Sequence, residues 1–362
     1  MPAPAPLRER LAQALQQSWS GRGALSTALL PASWGFAAIA ALRRRLFVHG
    51  VRESERLPVP VVVVGNLVAG GAGKTPTVIA IAALLRERGY VPGIVSRGYG
   101  RRSGGIVAVA SDSPATQVGD EPLLLHRRTG APVVVAAERV AAGHALLQAH
   151  PEVDILLSDD GLQHFALERD VEVIVFDERG AGNRRLLPAG PLRERVPTRL
   201  GPRQLVLYNA PAATTPLPGF TAQRSLAGVV ALADWWAGQA PTLAALAALR
   251  DRAVVAVAGL ARPERFFALL RANGLDVVEC ALGDHDDFAR LPWPASASDV
   301  VLTEKDAVKL PASRPIGTRV WVARLDFAPE PAFGAALLAL LPPPRAGAIS
   351  ASPTDPHGNA IA

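Results

Sequence analysis

The residues Val61–Gly65 form a run of valines ending in glycine, and Gly70-Gly71-Ala72-Gly73-Lys74-Thr75 follows shortly after. The valine run reads as a buried strand, and Thr75 to Arg88 has the apolar spacing of a helix that stops at Gly89. Strand, glycine-rich turn, Lys-Thr and helix in that order leave few folds open. They predict an α/β protein whose first loop wraps phosphate with backbone N–H groups and a helix N-terminus. The candidate cradle is Val68, Ala69, Gly70, Gly71, Ala72, Gly73, Lys74 and Thr75, with Val68 standing where a P-loop usually has its first glycine. In such a loop Lys74 reaches the β/γ-phosphates of a nucleoside triphosphate and Thr75 helps hold Mg²⁺. The bland alternative is a tight strand-to-helix turn that happens to contain a lysine.

Against that alternative stands the choice of cation. Of 38 basic residues only Lys74, Lys305 and Lys309 are lysine. A guanidinium fork is too wide for a glycine loop, whereas an ammonium on a flexible stem fits. Where arginine serves almost everywhere else, three retained lysines mark positions at which the smaller group matters.

A chain of 362 residues, 49% hydrophobic and 19% charged, suits two globular domains. A single cysteine, Cys280, excludes an intrachain disulfide framework and fits a reducing compartment; its apolar run reads as core. The net charge of +6 comes with clustered arginines, at Arg43-Arg44-Arg45 and again from Arg179 to Arg203. With 5% aromatic residues and no nucleic-acid motif, nucleic acid is disfavoured, and anionic lipid or a phosphorylated substrate fits better. The stretch Ala24 to Leu42 is mostly apolar and runs into the first arginine cluster. At ~1.5 Å per residue it would barely cross a hydrocarbon core of ~30 Å, and Pro31 interrupts it. The expectation is therefore a helix lying in the cytoplasmic face of the inner membrane, peripheral or monotopic, with arginines on anionic headgroups. A spanning helix and a helix packed on the protein's own core are the alternatives.

Further strand-like runs are Val91–Ser96, Pro132–Ala136, Asp154–Ser158, Val171–Phe176 and Gln204–Tyr208. Separated by helical stretches, they predict a P-loop NTPase-like, mainly parallel sheet with helices on both faces. After a proline- and alanine-rich stretch from Pro211 to Pro218, a smaller second α/β domain follows. Its strands are Ala253–Ala258, Val277–Ala281, Val300–Thr303 and Arg319–Ala323, and Pro263–Asn273 is its proline-started helix. The expected division is 1–50 for the membrane-associated segment, 51–230 for the nucleotide-binding domain, 231–341 for the smaller domain, and 342–362 for a loose tail.

Several acidic and histidine motifs sit at strand ends, where such sheets bind ligands. Asp159-Asp160-Gly161-Leu162-Gln163-His164 follows an apolar strand as a Walker-B acid does, and two adjacent carboxylates need a cation or donors beside them. Asp120-Glu121 is read either as a helix N-terminus favoured by the dipole, or as one base for an attacking hydroxyl and one metal partner. Ser96-Arg97-Gly98-Tyr99-Gly100 is a phosphate-contacting loop or a glycine turn. Asp284-His285 and Thr303-Glu304-Lys305-Asp306 are proton-handling candidates or solvated charged loops.

Taken in order, these segments resemble the tetraacyldisaccharide 4′-kinase family of the lipid A pathway. The resemblance rests on Gly65-Asn66 through Pro76, Ser96–Gly100, Gly119–Pro122 and Asp159–His164, and continues in Gly182-Asn183 and Leu187-Pro188-Ala189-Gly190-Pro191-Leu192-Arg193-Glu194. It extends through Ala261-Arg262-Pro263, Asp284-His285 and Thr303–Leu310, so it covers most of the chain from Val61 to Leu310. It implies transfer of the γ-phosphoryl group of ATP to the 4′-hydroxyl of a tetraacylated glucosamine disaccharide 1-phosphate. It also implies Asp120 as the base with His285 as its proton partner, and Lys74 on the nucleotide phosphates. Thr75, Glu121, Asp159 and Asp160 would serve Mg²⁺; Arg193, Glu194, Gln163 and His164 are the substrate candidates. No obligate protein partner is evident. The rival classes are a membrane-recruited P-loop switch that hydrolyses nucleotide with water, and a non-catalytic scaffold. The absence of Asn-Lys-x-Asp disfavours a GTPase, and the two intact acidic pairs disfavour a scaffold.

Overall fold

The structure is a computed structural model that describes residues 15–283, 286–311, 314 and 316–345. Its strands in chain order are β1 (Val61–Gly65), β2 (Pro92–Ser96), β3 (Val107–Val109), β4 (Val133–Val135), β5 (Ile155–Asp159), β6 (Val171–Asp177), β7 (Gln204–Asn209), β8 (Phe220–Ala231), β9 (Ala253–Ala258), β10 (Asp276–Ala281), β11 (Asp299–Thr303) and β12 (Arg319–Pro329). They form one sheet in the order β10-β9-β11-β12-β8-β7-β6-β1-β5-β2-β4-β3. All neighbours are parallel except β3 with β4 at one edge and β8 with β12 in the middle. The expected mainly parallel α/β architecture is what the chain adopts.

The valines of β1 show why. Side chains alternate across a strand, so Val62 and Val64 enter one hydrophobic face with Val78, Ile81 and Leu85, while Val61 and Val63 enter the other with Leu146, Leu156 and Phe176. A strand covered on both faces has no use for polar alternation, hence the continuous apolar run. Each such side chain contributes about 1.5–3 kcal/mol on burial.

The strand β8 links the two halves of the sheet. It meets β7 only through Leu207 opposite Phe220 and Tyr208 opposite Thr221, then runs antiparallel along β12 from Ala222–Pro329 to Ala231–Trp321, with an irregularity at Arg324/Leu325. Beyond it, a third cluster of buried residues, including Leu226, Phe266, Phe267 and Val301, forms the core of the second unit. The helix Pro331–Ala339 does not stay with that unit. Its Phe333 ring lies 5.8 Å from that of Phe220, Leu84 packs at Gly334, and Tyr90 Oη donates to Pro342 O at 2.6 Å. The chain end is thereby returned to the Lys74–Glu87 helix and the first unit.

Phe333 is almost wholly buried. Phe333→Ala should therefore cost about 3–5 kcal/mol in urea unfolding, the usual cost of a large-to-small core change; a loss near zero would mean that the returning helix is not part of the core.

Candidate active site

The carboxyl ends of β1, β5 and β2 lie side by side, because β5 pairs with both of the others. They deliver Asn66, Asp159-Asp160 and Ser96-Arg97 to one place. The loop after β1 is shaped by its carbonyls. Gly70 O accepts from Asn66 Nδ2, Gly71 O from Arg179 Nη2 and Ala72 O from Asn209 Nδ2, each at 3.0 Å. In a planar trans peptide the N–H points opposite to the C=O, so the following N–H groups are turned to the other side, into the loop. Gly73 closes the loop with φ 97°, and a Cβ there would sit 2.4 Å from Asn209 Nδ2. Only glycine fits at that point.

Val68 departs from the usual glycine for a visible reason. It is buried and forms an antiparallel bridge with Leu192, flanked by Ala69 N donating to Pro191 O and Arg193 N donating to Leu67 O, both at 2.7 Å. The loop entrance is thus a short piece of sheet, and a side chain there fills core.

The helix Lys74–Glu87 begins directly after Gly73. Pro76 lies in its first turn, where an N–H would lack an intrahelical partner in any case. Lys74 Nζ stands 3.4 Å from Asn66 Oδ1 and 3.6 Å from Asp160 Oδ1. Arg193 Nη1 donates to Asp160 Oδ1 at 3.0 Å, and Asp160 itself sits at φ 49°, a left-handed conformation that Asp tolerates better than most residues. Burial alone would raise the pKa of Asp160; Lys74 and Arg193 outweigh it and hold the carboxylate below its ordinary value. Gln163 joins this cluster, donating to Glu194 Oε1 at 3.0 Å, and Glu194 also faces Arg44 of the N-terminal helix at 3.8 Å.

Asp159 is the opposite case. It is buried, Ser96 Oγ donates to its Oδ2 at 3.1 Å, and its Oδ1 has no hydrogen-bond partner. Desolvation, then Glu121 and Asp160, push its pKa up to about 7, against Lys74 and Arg139. A buried carboxylate oxygen without a donor, amid other carboxylates, suits a cation. Among the described residues no three His, Cys, Asp or Glu gather closely enough to hold a metal by themselves. Mg²⁺ binds through one or two carboxylates together with waters and substrate phosphates, and the donorless Asp159 Oδ1 is a carboxylate of that kind.

Asp120 and Glu121 open the helix Asp120–Thr129, as acids favoured by its dipole do. Asp120 is buried, and its Oδ1 accepts from Glu121 N at 3.0 Å. The preceding Gly119, at φ 95°, lets this turn approach the Ser96–Gly100 loop, since a Cβ there would stand 3.1 Å from Tyr99 O. The two remaining lysines come from the second unit: Lys305 Nζ lies 3.2 Å from Glu121 Oε1 and 3.8 Å from Asp120 Oδ2, and Lys309 Nζ lies 3.9 Å from Asp120 Oδ2. All three lysines thus converge on the acidic pairs. His285 lies outside the described residues.

A cavity of about 630 Å³ opens beside these groups, lined by Glu121, Asp159, Asp160 and Arg193 at one side and by Arg43 and Phe47 at the other. Gln163, His164, Arg97 and Arg139 line it too. Desolvation, then Arg139, Arg97 and Arg43, lower the His164 pKa to about 4, so His164 is neutral at pH 7. Arg139 is absent from the sequence-based candidates. Buried at the start of its helix, it donates to Ala136 O at 2.9 Å and to Asp159 O at 3.3 Å. Desolvation lowers its pKa to about 10, which leaves it a cation behind the two aspartates.

The N-terminal helix Leu30–Val48 lies on this cavity inside out. Its buried residue is Ser33, donating to Leu186 O at 2.9 Å; Ser26 of the preceding turn is likewise buried and donates to Ala189 O. Trp34, Ile39 and Leu42 are exposed, at 66%, 71% and 59%. Among the described residues no helix is long and apolar enough to cross a membrane.

The profile of a family described as tetraacyldisaccharide-1-P 4′-kinase matches residues 25–342. The tetraacyldisaccharide 4′-kinase of Methylibium petroleiphilum is 57% identical over 354 residues, covering 96% of this chain and 99% of that protein. The enzyme of the same name from Leptothrix cholodnii is 53% identical, covering 93% and 98%. A crystal structure of LpxK from Aquifex aeolicus in complex with ATP is similar with a TM-score of 0.72 and 28% identity, over 88% of this chain and 99% of that one.

The raised pKa of Asp159 has a consequence for stability. Unfolded, the group ionises near pH 4; folded and metal-free, it does so near 7. Its native environment therefore costs nothing below pH 4, costs progressively more from 4 to 7, and costs most above 7. Asp159→Asn should raise the metal-free Tm by a few degrees at pH 8 and leave it nearly unchanged at pH 4. A lower Tm at pH 8 would show that a partner offsets the charge.

Proposed function

Since this chain belongs to the tetraacyldisaccharide-1-P 4′-kinase family, its reaction is ATP-dependent phosphorylation of the 4′-hydroxyl of tetraacyldisaccharide 1-phosphate in lipid A biosynthesis, and we propose how its residues divide that work. The carrying observation is that one cavity touches Glu121, Asp159, Asp160 and Arg193 at the nucleotide side and Arg43 and Phe47 at the N-terminal helix. An acylated, phosphorylated sugar needs both walls.

In this reading the triphosphate lies along the Val68–Thr75 loop, and Lys74 neutralises charge on its β/γ-phosphates during in-line transfer. Asp120 accepts the proton of the sugar hydroxyl. An aspartate with an ordinary pKa of about 3.9 is a weak base, so His285 takes the proton onward. Thr75, Glu121, Asp159 and Asp160 would hold Mg²⁺ or its waters; when bound, the ion neutralises charge on the phosphoryl oxygens. The buried, donorless Asp159 Oδ1 supports that assignment. Arg193, Gln163, Glu194 and His164 orient the sugar phosphate. The expected division at 230/231 moves to the narrow β7–β8 junction: the nucleotide-binding body runs from residue 51 through β7 and takes back the helix Pro331–Ala339, and the smaller body runs from β8 through β12.

The helix Leu30–Val48 docks on the cytoplasmic face of the inner membrane. Its exposed Trp34, Ile39 and Leu42, the burial of its serines and the Arg43-Arg44-Arg45 run support that placement. Replacing the three arginines by serine should weaken sedimentation with anionic vesicles by about 100-fold, at about 1 kcal/mol per charge. Unchanged binding would remove the headgroup contact.

The reaction is tested with detergent-dispersed tetraacyldisaccharide 1-phosphate and γ-labelled ATP·Mg²⁺. Label should enter the lipid and be lost in Lys74→Ala. Asp120→Asn should lower transfer by at least about 100-fold while ATP still binds; unimpaired turnover would remove Asp120 as the base. Label released only as inorganic phosphate, with or without lipid, would favour a switch ATPase.

A further inference from the structure

We propose that Lys305 and Lys309 are positioning residues for phosphoryl transfer, through which the second unit holds the Asp120–Glu121 pair toward the acceptor. The inference rests on the assignment of Asp120 as the base and Glu121 as a metal partner.

Four carboxylates, Asp120, Glu121, Asp159 and Asp160, are brought to one site, where like charges need cations beside them. Cations of the first unit attend to one pair: Lys74 and Arg193 engage Asp160, and Arg139 stands behind Asp159. The other pair is attended from across the junction. Lys305 Nζ is within hydrogen-bond reach of Glu121 Oε1 at 3.2 Å, whereas both lysines stand off Asp120 Oδ2, at 3.8 and 3.9 Å. Lys309 is itself fixed by Asp306 Oδ1 at 3.2 Å, and the other Asp306 oxygen accepts from Thr303 Oγ1 at 2.6 Å and from Gly259 N at 3.0 Å. The Lys309 ammonium is therefore held by a buried network of the second unit.

The same unit grips the far end of the Asp120–Thr129 helix. Arg127 lies 4.4 and 4.3 Å from the ring centres of Trp235 and Trp236 and donates to Trp235 O at 2.8 Å, and Arg128 pairs with the buried Glu304. Glu304 and Lys305 are consecutive, so one short turn engages both ends of the helix that carries the pair. A helix fixed at both ends cannot rotate its first residue away from the acceptor.

Lysine is the suitable cation here. A guanidinium would tend to engage carboxylate oxygens in a fork and so compete for Asp120 Oδ2, whereas an ammonium at nearly 4 Å attracts the charge and interferes less with proton acceptance there. That is a reason for this arginine-rich chain to keep lysine at these two positions.

The test compares wild type with Lys305→Met, Lys309→Met and Lys305→Arg, reading kcat and KM for lipid, ATP affinity by equilibrium binding, and Tm. Both methionine variants should lose at least about 30-fold in kcat, the size of effect expected when a reacting group is misplaced, with KM and ATP affinity close to wild type; Lys305→Met should also keep its Tm, whereas Lys309→Met leaves the buried Asp306 without its partner and lowers Tm. Lys305→Arg should recover part of the loss, because the charge remains while the geometry does not. Methionine variants within threefold of wild-type kcat would overturn the inference and leave the Asp120 assignment standing. In Lys305→Met, a kcat loss that tracks a fall in Tm or ATP affinity, with no recovery in Lys305→Arg, would reduce the lysine to a structural role and also overturn it. If wild type transfers label but Asp120→Asn is unimpaired, the assignment beneath the inference fails and the inference falls with it.

Discussion

Mutual repulsion among Asp120, Glu121, Asp159 and Asp160 is the constraint on which the rest of the site depends. A parallel sheet brings them together because its carboxyl ends open on one side, and beyond the helix N-terminus and the Glu121 N–H that serve the Asp120–Glu121 pair, side-chain cations offset their charge. Each carboxylate is accommodated differently. Asp160 is held ionised by Lys74 and Arg193, Asp159 is left near pH 7 with an unserved oxygen, and Asp120-Glu121 is faced by lysines from the second unit. The arrangement costs stability in the metal-free protein and suits a site that takes up a triphosphate with its cation.

Much of this was legible in the chain, for a physical reason. Strands such as Val61–Gly65 and Ala253–Ala258 are buried on both faces or nearly so, and a continuous apolar run is the mark such burial leaves. The acidic pairs were legible because adjacent carboxylates at a strand end or helix start have few structural uses. The scarcity of lysine flagged Lys305 and Lys309, though not what they face.

Other features left little trace. The strand β8 alternates irregularly between buried and exposed residues, because one side of it serves β7 briefly and the other follows β12, so it lacks a clean period. The return of Pro331–Ala339 to the first unit depends on Phe220 and Leu84, far away in the chain. Arg139 was one arginine among many, and only its burial beside Asp159 distinguishes it. Val68 looked like a defect in the cradle; its bridge to Leu192 makes it part of the core.

The segment from Asn183 to Glu194 carries that bridge and more. Asn183 Nδ2 reaches Ser26 Oγ and Gly21 O at 2.9 Å, Ala189 O accepts from Ser26, Leu192 pairs with Val68, and Arg193 and Glu194 enter the site. One stretch of backbone therefore sets three distances at once: anchor to cradle, cradle to carboxylates, and carboxylates to anchor. It behaves as a gauge whose length is the constrained quantity. Side chains along it can be exchanged one at a time, each at its own cost, but one residue inserted between Asn183 and Arg193 would put all three distances out of register together.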